Sequence, residues 1–336
     1  MRTAIVSAVI AAVVALILFL GAGDDTGPNS FIVIGVTAGA AYGLVAIGLV
    51  LVYKGTRVFN FAQCEFGTIA AFIVYVLTRQ VRSMDIPYGV AVVIALLGVM
   101  VLGLLFERVV VRPLLNAPRV TLLVATIAFT LLAIGVEILL FLPEAKSLNP
   151  LIQPISDGKT VGPEVFGYII PPQRLLVIGV LLALAVLLAY FFSKTDLGLA
   201  VLATSQDAFA TRVVGIGVER MSRFIWVGAA LLGAIAGILF VPEVGYLGPG
   251  VMTTQLLIPA FTGAVIGGMT SLPGAFIGGM VVGLVQQIAN WASIHYSPFG
   301  GEPLQDTIPG TSDVALVAVL LIVLLARPQG LLGSEA

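Results

Sequence analysis

Long apolar stretches, interrupted by short polar ones, run along almost the whole chain. They fall at about residues 4–22, 31–53, 62–78, 87–106, 120–142, 174–193, 223–241, 256–269, 274–291 and 313–326. A helix crosses the bilayer core with about 20 apolar residues. In lipid the backbone polar groups must be satisfied within the segment, so these runs predict membrane-spanning helices. The run at 256–269 is short, and with its neighbour reads as two spans or as one re-entrant pair. The prediction is therefore eight to ten transmembrane helices in one all-α polytopic membrane domain covering 1–336. The first run, opened by Arg2, has features of a signal peptide, but no clear A-x-A cleavage site follows it, and it is expected as a retained helix.

Composition agrees with the pattern. Hydrophobic residues make up 59% of the chain, charged residues 10%, and mean hydropathy is +1.13; a soluble domain carries about 25% charged residues. The net charge of −1 offers no basic surplus for nucleic acid. One cysteine, Cys64, excludes an internal disulfide framework, and one histidine, His295, leaves little for a histidine-based metal site. No GxxxxGK[ST] phosphate loop occurs, so any ATP must be handled by another chain.

The basic residues orient the spans. With ten spans and the amino terminus inside, the inner segments hold Arg2, Lys54, Arg57, Arg108, Arg112, Arg119, Lys194, Arg212, Arg220, Arg223 and Arg327, which is 11 of the 16 Lys and Arg residues. Arg79, Arg82, Lys146, Lys159 and Arg174 fall outside. The positive-inside rule then places both termini in the cytoplasm. Within the spans, Gly35, Gly39 and Gly43 recur every fourth residue, and Gly263 with Gly267 and Gly274 with Gly278 repeat the spacing. Such stripes lie on one helix face and let backbones approach closely, which predicts a crowded bundle.

Two stretches break the apolar pattern with chemistry. In NFAQCEFG, at 60–67, Asn60, Gln63 and Glu65 stand inside a membrane region. An ionisable group there is expensive and must face a partner or water, and Arg57 is the nearest candidate partner in sequence. Two roles fit the trio: shaping or gating a pathway at its inner mouth, or holding a broken helix start in place through backbone hydrogen bonds. Glu137 is the second intramembrane acid and is expected to reach water near the outer interface. Gln286, Gln287 and Asn290 suit either a pore lining or contacts between helices.

The inner segment SKTDLGLAVLATSQDAFATRVVGIGVERMSR is the longest on that side. It predicts a short helix over 204–215, capped by Ser205, with Gln206 and Asp207 in its first turn, Arg212 near its end and Gly215 as its stop. Phe209 and Val213 are spaced to form a small apolar stripe. That shape suits docking in a partner's groove, or packing against the membrane surface or the chain's own bundle.

Three of these segments carry a family resemblance: YGLVAIGLVLVYKGTRVFNFAQCEFG at 42–67, ATSQDAFATRVVGIGVERMSRFIWVGAALLGAIAGIL at 203–239, and AFTGAVIGGMTSLPGAFIGGMVVGLVQ at 260–286. With RPQGLLG at 327–333 they are similar to the permease subunits of bacterial ATP-binding-cassette importers for branched-chain amino acids, in particular the first of the two permeases. The resemblance covers nearly the whole chain and implies a multi-pass plasma (inner) membrane permease with the bundle of that importer family. A second permease, the same chain or another, would complete the pathway. Two cytoplasmic ATPases holding ATP and Mg would drive it, and an external substrate-binding protein would deliver the solute. The segment from Thr204 to Gly215 would then be the coupling helix, gripped by an ATPase through Ser205, Gln206, Asp207, Phe209, Arg212 and Gly215. At the opening motif Gln63 stands where the family pattern has His, and Cys64 where it has Gly. A role resting on a titrating imidazole therefore does not carry over.

Leucine, isoleucine and valine are the substrates this implies, with urea and short amides as the alternative within the class. An ion-gradient-driven secondary carrier or channel is the alternative of another class; such carriers often show inverted repeats and several midplane ionisable groups. A membrane enzyme would need a cluster of catalytic groups, and with one His and one Cys none is visible.

Overall fold

Asn29–Thr56 forms α1, buried without interruption from Thr37 to Val52 and the axis around which the other helices stack. The structure is a computed structural model. It describes residues 29–80, 86–115, 117–148, 155–156, 159–160, 162–165, 168–206, 208–296, 304–307, 310–327 and 329–332. The predicted run at 4–22 lies outside them.

After α1 a 3-10 turn, Phe61–Gln63, leads into α2, Glu65–Tyr75, which runs on as a π turn over Val76–Gln80. Next come α3, Tyr88–Phe106, continued as helix to Leu114, and α4, Arg119–Phe141. Among the described residues the stretch between α4 and α5 carries no membrane helix. It contains two small antiparallel ribbons, β1 (Ile155–Ser156) with β2 (Lys159–Thr160), and β3 (Glu164–Val165) with β4 (Tyr168–Ile169). This stretch is rich in Pro, Gly and polar residues, lacks a helical apolar period, and closes its backbone bonds locally instead.

The second half comprises α5 (Pro172–Lys194), α6 (Asp196–Gln206), α7 (Ala208–Val213), α8 (Val218–Val244), α9 (Val251–Gly267), α10 (Leu272–His295), α11 (Leu304–Thr307) and α12 (Thr311–Ala326). Among the described residues 7 helices are long and apolar enough to cross a membrane, and α9 and α12 are shorter apolar helices. The ambiguous pair at 256–291 resolves into two separate helices.

Burial sorts the helices into layers. In α3, Ala91, Ala95, Val99, Gly103 and Phe106 turn inward, while Val93, Leu97, Val101 and Leu105 are more than half exposed. In a bilayer that outward apolar stripe is the lipid-facing side. The same split runs through α4 and α5, whereas α1, α2 and α8 are buried almost throughout. The glycine stripes lie at the tightest crossings. Gly35, Gly39 and Gly43 of α1 meet Gly283, Met280 and Phe276 of α10, and a methyl group on Gly39 would fall 2.8 Å from the Met280 Cα. Gly263 and Gly267 of α9 abut Gly278, Gly279 and Gly274 in the same way.

Basic residues gather at one end of the bundle. There Lys54 Nζ donates to the Thr270 carbonyl at 2.9 Å, Arg112 pairs with Glu219, and Phe191 stacks on Phe224 beside Lys194. At the opposite end Lys146 and Leu247 exchange backbone hydrogen bonds of 2.7 Å, and Arg174 pairs with Glu243.

Candidate functional site

Between α1 and α2 the chain changes direction inside the bundle. Arg57 has φ +56, a left-handed backbone that ends α1. Asn60 then caps the 3-10 turn, its Oδ1 accepting from the Ala62 N–H at 3.1 Å, as an N-cap asparagine does. Its Nδ2 donates to Gln63 Oε1 at 3.3 Å, and Gln63 Nε2 donates across to the Ala229 carbonyl of α8 at 2.7 Å. Gln63 fits because Gly48 of α1 and Gly233 of α8 flank it; a methyl group on Gly48 would collide with its amide. Phe61 N–H donates to Thr126 Oγ1 of α4 at 3.3 Å, tying the turn to a third helix. Asn60 and Gln63 are fully buried, and their polar atoms meet backbone and each other.

Glu65 differs. It opens α2, where the positive end of the helix favours a carboxylate, and it too is fully buried. Its Oε1 accepts from Thr68 Oγ1 at 3.3 Å and from Thr253 Oγ1 of α9 at 3.1 Å. Thr68 Oγ1 in turn accepts the Met252 N–H at 3.3 Å. Arg57, proposed from sequence as the partner of Glu65, is exposed at the end of α1, and among the described residues no ion pair joins the two. The left-handed turn at Arg57 leaves its side chain in the open, while the chain after Asn60 dives inward.

Glu137 also departs from expectation. It does not reach water: it is 4% exposed, and its Oε2 accepts the Gly250 N–H at 3.0 Å. Gly250 has φ +67, and a methyl group there would lie 3.8 Å from Glu65 Oε1, so two carboxyl groups from α2 and α4 meet at the start of α9. Among the described residues Glu65 Oε2 and Glu137 Oε1 have no hydrogen-bond partner. The cluster of Glu65, Thr68, Glu137 and Thr253 pins the amino-terminal turn of α9 to α2 and α4. Cys64 beside it is free and buried. A third carboxyl, Glu107, is fully buried in the π turn that extends α3. Sequence gave no sign of it, because an acid at the end of an apolar run reads as an interface residue. Thr253 and Gly250 were equally hidden, in the turn GYLGPGVMTTQ.

The segment between α5 and α8 is built differently from the single capped helix expected. Two helices occupy it. Ser205 lies inside α6 and does not cap a helix. The helix starts earlier because Thr195 closes α5 and opens α6 together, its Oγ1 accepting from the Gly198 N–H at 3.1 Å with Asp196 in the first turn. Gln206 ends α6. Asp207 and the side chains of Ser205 and Phe209 lie outside the described residues. Gly215 has φ +89 and follows α7, its N–H donating to the Arg212 carbonyl at 3.0 Å. Arg212 is exposed, as are Val213 and Val214 at 73% and 78%. Arg212 and Arg119 also border a cavity of about 370 Å³ at this end.

Comparison with known proteins bears on this geometry. Residues 31–325 match the family described as "Branched-chain amino acid transport system / permease component". The chain belongs to this permease family. A permease of the high-affinity branched-chain amino acid transport system of Escherichia coli strain K12, LivH, is 30% identical over 310 residues, covering 89% of this chain and 93% of the relative. BraD of Pseudomonas aeruginosa is 29% identical over 306 residues, covering 89% and 94%. A probable LivH of Methanocaldococcus jannaschii is 26% identical, covering 87% and 88%. The solved structure of PsaBC from Streptococcus pneumoniae in complex with Fab overlaps 94% of this chain and 97% of that one, at 14% identity and TM-score 0.47. As a member of the family, the chain is a multi-pass transport permease subunit of the bacterial inner membrane, not an enzyme.

Proposed function

We propose that this permease forms half of the pathway by which an ATP-binding-cassette importer moves branched-chain and other hydrophobic amino acids inward. The observation that carries the reading is the relationship to branched-chain amino acid permeases along 89% of the chain. A second permease, identical or different, completes the pathway; two cytoplasmic ATPases bind ATP and Mg; an external binding protein delivers the solute. The end of the bundle that gathers Lys54, Arg112, Lys194 and Arg212 faces the cytoplasm by the positive-inside rule.

Within that frame the 204–215 segment docks an ATPase. The support is its exposure at the cytoplasmic end, where Arg212, Val213 and Val214 are accessible. Ser205, Gln206, Asp207, Phe209 and Gly215 complete the contact. Asn60 and Gln63 hold the broken start of α2 in place, and Glu65 links that break to α9, so a tilt of α9 during transport acts directly on the Glu65–Thr253 contact. Urea or a short amide is not favoured by any feature of the site.

Gentle purification from the native membrane tests the assembly. Two ATPases are expected to copurify, and to be lost when Phe209 and Arg212 are replaced by Ala. A stable complex of this chain without ATPases contradicts the reading.

A further inference from the structure

At the end of the bundle opposite α6 and α7 lies a second polar site, of which the sequence pattern marked only Gln286 and Gln287. The first turn of α5 presents Arg174 and the last turn of α8 presents Glu243, paired Nε to Oε2 at 2.8 Å, with side chains only 18% and 13% exposed. Both border a cavity of about 320 Å³, within the ~300–1,000 Å³ range of small-molecule sites. Beside the pair, Gln255 and Gln287 line the cavity, together with Tyr42 and Gln286, whose hydroxyl and Oε1 bond at 2.7 Å. The rest of the wall includes Ile34, Ala38, Phe240 and Val244. One chamber thus offers a cation, an anion, carboxamides and an apolar face.

We infer that this cavity receives the solute as a zwitterion, its carboxylate on Arg174, its ammonium on Glu243, and its apolar side chain against Ile34, Ala38, Phe240 and Val244. The inference rests on the amino-acid importer reading and adds the place and the charges that recognise the solute. A ligand carrying both charges exchanges one largely buried ion pair for two, leaving no charge alone. A ligand with a single charge engages only one member of the Arg174–Glu243 pair, so the chamber selects against simple amines and acids. A neutral ligand has no means of opening the pair.

The test uses the whole importer in liposomes with its binding protein and internal ATP, carrying Arg174→Gln or Glu243→Gln. Leucine uptake is expected to fall about tenfold or more, the scale of a lost charge-assisted hydrogen bond, while binding-protein-stimulated ATP hydrolysis stays within about twofold. Unchanged uptake in both variants overturns the inference alone. A parental complex that moves no branched-chain amino acid overturns the proposed function and this inference with it. If a variant loses ATP hydrolysis as well, labelling decides. Val244→Cys places a thiol in the wall, and the native Cys64 is fully buried. Millimolar leucine is expected to slow modification of that thiol by a charged reagent in detergent, and leucinamide, which lacks the carboxylate, is expected not to. Equal modification with and without leucine overturns the inference.

Discussion

Replacing Gln63 by Leu keeps the side-chain volume nearly constant and removes both polar atoms, which makes the cost calculable. Two hydrogen bonds are lost, Gln63 Nε2 to the Ala229 carbonyl at 2.7 Å and Asn60 Nδ2 to Gln63 Oε1 at 3.3 Å. An interhelical hydrogen bond in a membrane protein contributes about 0.6 kcal/mol. The larger effect falls on Asn60, which is fully buried and whose Nδ2 loses this acceptor, at about 1–3 kcal/mol for an orphaned buried donor. Together the change costs about 2–4 kcal/mol. At roughly 2–4 °C per kcal/mol for a large domain, the midpoint of thermal unfolding in detergent falls by about 4–16 °C. Gln63→Glu costs more, because it sets an oxygen against the Ala229 carbonyl where an N–H now stands. The assay is the temperature at which half of the purified protein stays monodisperse. A Gln63→Leu protein as stable as the parent would refute the wedge described between α1 and α8.

Four further substitutions have outcomes set by the same geometry. Glu65→Gln retains an acceptor for Thr68 and Thr253 and removes a buried charge, so thermal stability should stay within about 1 kcal/mol of the parent or rise; a strong loss would mean that the charge itself holds α9. Gly39→Ala drives a methyl against the α10 backbone and should destabilise by about 1–3 kcal/mol. Gly179→Ala in α5 meets nothing within 4 Å and should stabilise by about 0.5–1 kcal/mol, so equal effects at the two sites would contradict the crossing. Gly215→Ala forces a side chain into the left-handed region at φ +89 and should cost about 1–2 kcal/mol, read as a lower unfolding midpoint with α6 and α7 otherwise intact.

How far the sequence carried depended on whether local or distant residues decide a feature. Helix spans follow from local apolar runs, and among the described residues the structure places them within a few residues, apart from α3, which runs on to Leu114 through charged residues, and α8 and α9, which begin about five residues early. The break at 57–64 was visible because Asn, Gln and Glu interrupt such a run. Their partners were not: Ala229 and Thr253 lie 166 and 188 residues away from Gln63 and Glu65. The reading of 204–215 failed at its start because Ser205 has the residue type of a cap, while Thr195, ten residues earlier, holds the capping position. Glu137 was misread because burial depends on what covers it, here Gly250 and the turn before α9. The pair Arg174–Glu243 joins two helix ends 69 residues apart, and each residue alone looks like an interface charge.

On the proposed function, this chain conducts amino acids only within an ATP-driven assembly. The direct measurement is leucine uptake by the purified complex in liposomes, with binding protein outside and Mg-ATP either enclosed or omitted. The account predicts accumulation that requires both ATP and the binding protein. Uptake by this chain alone, without ATP and driven by a proton or sodium gradient, would contradict it and make the protein a secondary carrier.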